Sequence, residues 1–142
     1  MKTFNINDGG RNKAGYKGAT GDCVCRSITI ATEKGYKETY QALIDVKNSM
    51  RQTKNIKDSH PRTGVTRKVY DTYLKELGWS WIPTMKIGTG CRVHLKSDEL
   101  PNGKLIVRLS KHITAVINGT INDTYNPSRD GTRCVYGYYI KN

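Results

Sequence analysis

The sequence predicts an α+β domain with helices first and an antiparallel sheet second. Three observations carry that expectation. Apolar residues recur at helical spacing between Cys23 and Leu77. The period changes after Gly78, where Trp79-Ser80-Trp81-Ile82 begins a series of short strand-like runs. The turn pair Asn118-Gly119 joins two of those runs as a hairpin. A chain of 142 residues without an internal repeat is expected to form one domain, 1–142, with a single core.

Each element has a local reason. Residues 1–6 suit a short strand with Phe4 and Ile6 on one face. Asn7 to Gly21 is a glycine-rich loop of the kind that wraps a site. Asp22 suits a helix N-cap, and residues 23–34 suit the helix, with Val24, Ile28 and Ala31 on one face and Gly35 as its stop. A second helix is expected over 37–50, built on Tyr40, Leu43 and Ile44. Residues 51–64 are polar, contain His60-Pro61 and read as an exposed loop. A third helix follows over 67–77, with Val69, Tyr70, Tyr73, Leu74 and Leu77 as its core stripe and Gly78 as its end. Beyond Pro83 the pattern predicts a short helical turn at 97–100, then strands over 104–109, 112–117, 120–125 and 133–140.

Composition narrows the function classes. Lys and Arg number 24 against 12 acidic residues, a net charge of +12 that favours acidic partners such as nucleic acid or an acidic protein surface. The basic residues are spread, densest over 51–57 and 62–68, so a solvated basic surface explains the same charge. No run approaches the roughly 18 apolar residues of a membrane helix. No charged-then-apolar leader opens the chain, which predicts a cytoplasmic protein whose four cysteines are reduced.

The chemistry centres on one cysteine. Cys23 falls in the first turn of its helix, where the positive end of the dipole favours thiolate. Pairing outward from Asn118-Gly119 puts His112 opposite Tyr125 and Thr114 opposite Asp123. His112 and Asp123 are then diagonal neighbours on one face, and Asn122 lies on the other. The carboxylate there would orient the imidazole and stabilise its charged form. Facing that pair, Cys23 becomes an activated nucleophile with a base and an orienter. His112 takes the thiol proton, the thiolate attacks a carbonyl carbon, and a thioester forms. His112 then protonates the leaving group, and water or an amine resolves the intermediate. No metal or cofactor is needed. The structural alternatives are simple: Cys25, Cys91 and Cys134 as small apolar core residues, and His60 as an exposed loop residue.

Two other classes compete. A nucleic-acid-binding protein would use the positive charge, with nine tyrosines and two tryptophans as stacking surfaces. A zinc site would draw on Cys23-x-Cys25 and Cys91-x-x-His94, of which only the second pair has good ligand spacing.

The segments Gly21-Asp22-Cys23-Val24, His112-Ile113-Thr114-Ala115-Val116-Ile117-Asn118-Gly119 and Asp123-Thr124-Tyr125 resemble the papain-like cysteine-peptidase fold in a minimal form. Over nearly its whole length the chain also resembles a family of small uncharacterised phage and bacterial proteins. That likeness lies in Asp8-Gly9-Gly10-Arg11, Gly21-Asp22-Cys23-Val24, Leu77-Gly78-Trp79, Gly90-Cys91-Arg92-Val93-His94-Leu95 and Asp130-Gly131-Thr132-Arg133-Cys134-Val135-Tyr136-Gly137. The papain-like resemblance implies a catalytic Cys23, His112 and Asp123 and a protein or peptide substrate. The second implies work in a host cytoplasm if the chain is phage-encoded. One position departs from the pattern: the glutamine that papain-like peptidases place ahead of the cysteine is Lys17 here. The Cys23 backbone N–H supplies one oxyanion donor, and Lys17, Thr20 or Asn12 is left to supply a second. The departure leaves acyl transfer and deamidation open beside peptide hydrolysis.

Overall fold

The computed structural model describes residues 4–16, 21–85, 88 and 90–141. Four helices and a six-stranded sheet are present among them. The elements in chain order are β1 (Phe4–Ile6), α1 (Cys23–Thr32), α2 (Tyr36–Asn48), α3 (Lys54–Asp58), α4 (Arg67–Glu76), β2 (Trp79–Pro83), β3 (Lys104–Leu109), β4 (His112–Ile117), β5 (Thr120–Asp123) and β6 (Gly137–Lys141). The α+β class is as expected. The all-antiparallel sheet is not, because β1 runs parallel to β5 at one edge of the order β1-β5-β4-β3-β6-β2. The remaining pairs are antiparallel.

Strand alternation divides the core into two layers. In β3, Leu105, Val107 and Leu109 face one cluster, while Ile106 faces the other. The Ile106 side receives α1, α2 and α4 through Ile28, Leu43, Val69 and Leu74, all essentially without solvent exposure. The opposite side is closed by Leu95, Leu100 and Val135 from the connecting segments. Helix α1 lies against β4 and is buried on nearly every side, from Val24 to Ala31. That burial fixes the residue that begins it.

Several local expectations are corrected. Helix α1 stops at Thr32 with Glu33 in the left-handed conformation, and Gly35 serves as the N-cap of α2 rather than the end of α1. Residues 51–64 are not a plain exposed loop. Thr53 Oγ1 accepts from the Ile56 N–H at 3.4 Å, starting α3 and burying Ile56, and His60 pairs with Gly64. The expected last strand over 133–140 starts only at Gly137, and residues 97–100 form a turn. Cys91 and Cys134 are neither core residues nor free thiols. The Val135 N–H donates to the Val93 carbonyl at 2.8 Å and brings their two segments alongside, and the cysteines are joined as a disulfide with Cα atoms 5.8 Å apart. Cys25, by contrast, is fully buried, as expected.

The close packing of β6 on β2 makes a direct prediction. A Cβ on Gly137 would fall on the Trp81 ring carbons Cζ2 and Cη2 and 2.8 Å from the Ile82 carbonyl oxygen. Trp81 is held by Tyr139 and by the Arg67 guanidinium, and the carbonyl belongs to the paired strand. Gly137→Ala is therefore expected to cost about 1–3 kcal/mol of overpacking, read as a lowered denaturant midpoint.

Candidate active site

Cys23 is the first residue of α1, so its position follows from the start of that helix. Two contacts fix the start. Gly21 donates its N–H to the Arg62 carbonyl at 2.7 Å, and a Cβ there would lie 2.9 Å from the Thr63 carbonyl oxygen, so only glycine allows the approach. Ser27 Oγ reaches the Cys23 carbonyl at 2.6 Å and the Ile113 carbonyl at 3.1 Å, which ties the first turn of α1 to β4.

The hairpin places the other two groups. Its register runs Ile117↔Thr120, Val116↔Ile121 and Ala115↔Asn122, as the Asn118-Gly119 turn predicts. One step further, Thr114 Oγ1 donates to Asp123 Oδ2 at 2.7 Å. His112 Nε2 lies 2.8 Å from the same carboxylate, and the His112 ring rests against Tyr125 with centroids 5.3 Å apart. Asn122 points the other way, to Asn5 and Asn7. Cys23 and His112 border the same two hollows, and each shifts the other's pKa through hydrogen bonding and charge. With Nε2 on Asp123, Nδ1 is the nitrogen left for the sulfur. The three side chains thus form one chain of contacts in the order Cys23, His112, Asp123.

The charges are arranged to hold that chain ionised. Burial works to raise the Cys23 thiol pKa, but the His112 hydrogen bond and charge, the Ile113 backbone N–H and Arg26 outweigh it and leave the value lowered. Burial works to lower His112, but the hydrogen bonds and charges of Asp123 and Cys23 prevail and raise it to about 9. For Asp123, burial is outweighed by hydrogen bonds from His112 and Thr114, the His112 charge and the Thr124 N–H, and its pKa is lowered. These directions favour a thiolate–imidazolium pair at neutral pH. Cys25 shows the opposite case: burial, with Asp22 nearby, pushes its thiol up to about 12.

Behind the three groups lies a buried network whose role differs from the sequence expectation. Asp22 occupies the N-cap position, yet its side chain makes no capping hydrogen bond. It pairs instead with Arg26, accepts from the Tyr36 hydroxyl at 2.7 Å and lies 3.5 Å from Arg11 Nη1. Arg26 also reaches Asp123 Oδ1 with Nη2 at 3.2 Å. One guanidinium therefore links the residue before Cys23 to the acid behind the imidazole. The Asp22–Arg26 spacing of four is the sequence signal that points to this pair. No local signal links Arg26 to Asp123, 97 residues away.

The expected oxyanion partners fare differently. Lys17 and Thr20 lie outside the described residues. Asn12 sits exposed on a turn, where its N–H donates to Asp8 Oδ2 at 3.0 Å, and it does not line the cavities around Cys23. The alternative zinc set is not assembled. Cys91 is bonded to Cys134, His94 Nδ1 lies 3.2 Å from Glu99, and no group of metal-ligating side chains forms among the described residues. No helix among the described residues is long and apolar enough to cross a membrane. Comparison with protein-family models, curated proteins and solved structures yields no match for this chain.

Proposed function

We propose that this protein is a cysteine-dependent hydrolase or acyltransferase of papain-like type, acting on a protein or peptide through a thioester intermediate. The observation that supports this most is the Cys23–His112–Asp123 contact chain at the start of a buried helix, with an elevated imidazole pKa and a lowered thiol pKa. The Cys23 thiolate attacks a carbonyl carbon while His112 carries the proton. The carbon–nitrogen bond breaks, and the leaving amine takes the His112 proton. Neutral His112 then accepts a proton from water as the hydroxide attacks the thioester. A carboxylic acid departs and the thiolate–imidazolium pair is restored. An amine in place of water gives acyl transfer, and a side-chain amide in place of a peptide bond gives deamidation. The Cys23 N–H, at the positive end of α1, is suited to the developing oxyanion.

The test is site-resolved labelling with iodoacetamide at neutral pH. Cys23 is expected to be modified first and Cys25 to stay unmodified, with no labelling at that site in Cys23→Ala. Preferential labelling of Cys25 with Cys23 inert would reject the assignment.

A further inference from the structure

Two hollows meet at Cys23 and His112. One, of about 470 Å³, extends past Arg11 and Tyr125; the other, of about 330 Å³, extends past Tyr70 and Arg108. Gly64 and Lys111 line both. The candidate nucleophile therefore sits midway along a trough. That shape suits an extended chain crossing the site better than a compact molecule held at one end. On the Arg108 side the trough continues into a third hollow of about 560 Å³, bounded by Arg67, Arg108, Tyr136 and Trp81.

The second arm is cationic, and Asp71 is the acid whose charge Arg67 acts on. Arg67 lies over Trp81 at 5.0 Å, and Arg108 over Tyr136 at 5.8 Å. Stacking on a ring holds a guanidinium plane and leaves its N–H edge to donate. Neither arginine forms an ion pair among the described residues, whereas buried Arg26 has two. The acid one turn from Arg67, Asp71, is engaged by Lys75 at 2.9 Å and by the Tyr139 hydroxyl at 2.6 Å. Tyr70 connects this arm to the nucleophile. Burial pushes its hydroxyl pKa up, Arg108 and Arg67 pull it down, and Asp71 and then Cys23 add to the rise.

We propose that the trough binds an extended polypeptide with an acidic side chain seated between Arg67 and Arg108, on that side of Cys23. This deepens the hydrolase or acyltransferase reading and rests on it for the word substrate. Both arginines line the same two hollows, and a carboxylate there accepts charge-assisted hydrogen bonds from guanidinium groups. A single-stranded nucleic acid fits less well. Its bases need open aromatic faces, and guanidinium groups lie over Trp81 and Tyr136.

The experiment uses the full chain carrying Cys23→Ala, so that no turnover intervenes. Fluorescence anisotropy compares a labelled decapeptide of alternating glycine and glutamate, the same peptide with glutamine, and an oligothymidylate of equal charge. The glutamate peptide is expected to bind about tenfold or more tightly than the glutamine peptide, the worth of one charge-assisted contact, and more tightly than the oligothymidylate. Adding Arg67→Gln and Arg108→Gln should remove that preference. Equal binding of the two peptides overturns the proposal, as does a glutamate preference that survives both substitutions. Tighter binding of the oligothymidylate also overturns it and assigns the trough to nucleic acid. Iodoacetamide labelling of the native protein, with Arg67, Arg108 and Cys23 all in place, reads the nucleophile separately from the peptide preference measured in Cys23→Ala. Cys23 inert with the glutamate preference intact removes the catalytic reading and leaves the trough. Reactive Cys23 without the preference does the reverse.

Discussion

Arg26→Ala is expected to cost about 3–5 kcal/mol, the scale seen when one partner of a buried ion pair is removed. The side chain is only 8% exposed, and its two carboxylate partners are nearly sealed, Asp22 at 0% and Asp123 at 2%. Without the guanidinium, both acids keep their burial and lose the main cation between them. Arg26→Lys is the informative companion. A point ammonium reaches one carboxylate but lacks the fork that spans two, so an intermediate loss is expected. The deficit of either variant should shrink in acid. Protonating Asp123 removes its half of the pair with Arg26; its folded-state pKa is lowered, against burial, by His112, Thr114 and Thr124, so its charge is present above the unfolded value and lost as pH falls through the folded one. Denaturant melts at pH 7 and near pH 3 measure both effects. An Arg26→Ala loss below about 1 kcal/mol at neutral pH, the range of an exposed ion pair, would contradict the reading of the network.

His112→Ala should slow alkylation of Cys23 at pH 6–7 by about tenfold or more. The largest influences that lower the thiol pKa come from His112, and burial opposes them. With the imidazole gone, burial prevails over the weaker help of Ile113 and Arg26, and the thiol rises. Each unit of rise removes about tenfold of the thiolate, partly offset by the greater intrinsic nucleophilicity of a more basic sulfur. The pH–rate curve should move to higher pH with its alkaline limit retained. A curve unchanged from the native protein would mean that the imidazole does not act on the sulfur. His112 should also couple to stability. Its folded pKa of about 9 exceeds the ordinary 6.5, so its contribution is fully present below about 6.5 and is lost as pH rises through about 9.

Parts of this arrangement are legible in sequence, for physical reasons. The strands at 104–109 and 112–117 are short apolar runs bounded by turn residues, and their bounds match the structure. Asn118 and Gly119 adopt φ of 49° and 81°, as a two-residue hairpin turn requires, and that turn sets the register joining His112 to Asp123. Cys23 begins its helix where the sequence expects it, although the contacts that fix that start, Gly21 to Arg62 and Ser27 to Ile113, are long-range. What stays hidden is long-range. The parallel pairing of β1 with β5 bridges more than a hundred residues and has no turn to announce it. Helix α3 has a single buried apolar anchor, Ile56, too little for a period to show. Asp22 satisfies a local rule for capping, yet the folded chain offers it Arg26 and Tyr36, and charge pairing in a buried place outweighs a cap at a helix end. The Cys91–Cys134 link depends on two loops meeting over the sheet, which cysteine spacing does not encode.

The central claim concerns where one proton resides, and NMR titration of the His112 ring measures it directly. The account predicts an imidazolium that persists through pH 8 and titrates near 9, with the midpoint falling in Cys23→Ala as the thiolate partner is lost. A midpoint near 6.5 in the native protein, insensitive to Cys23→Ala, would mean that the sulfur and the imidazole do not share a proton.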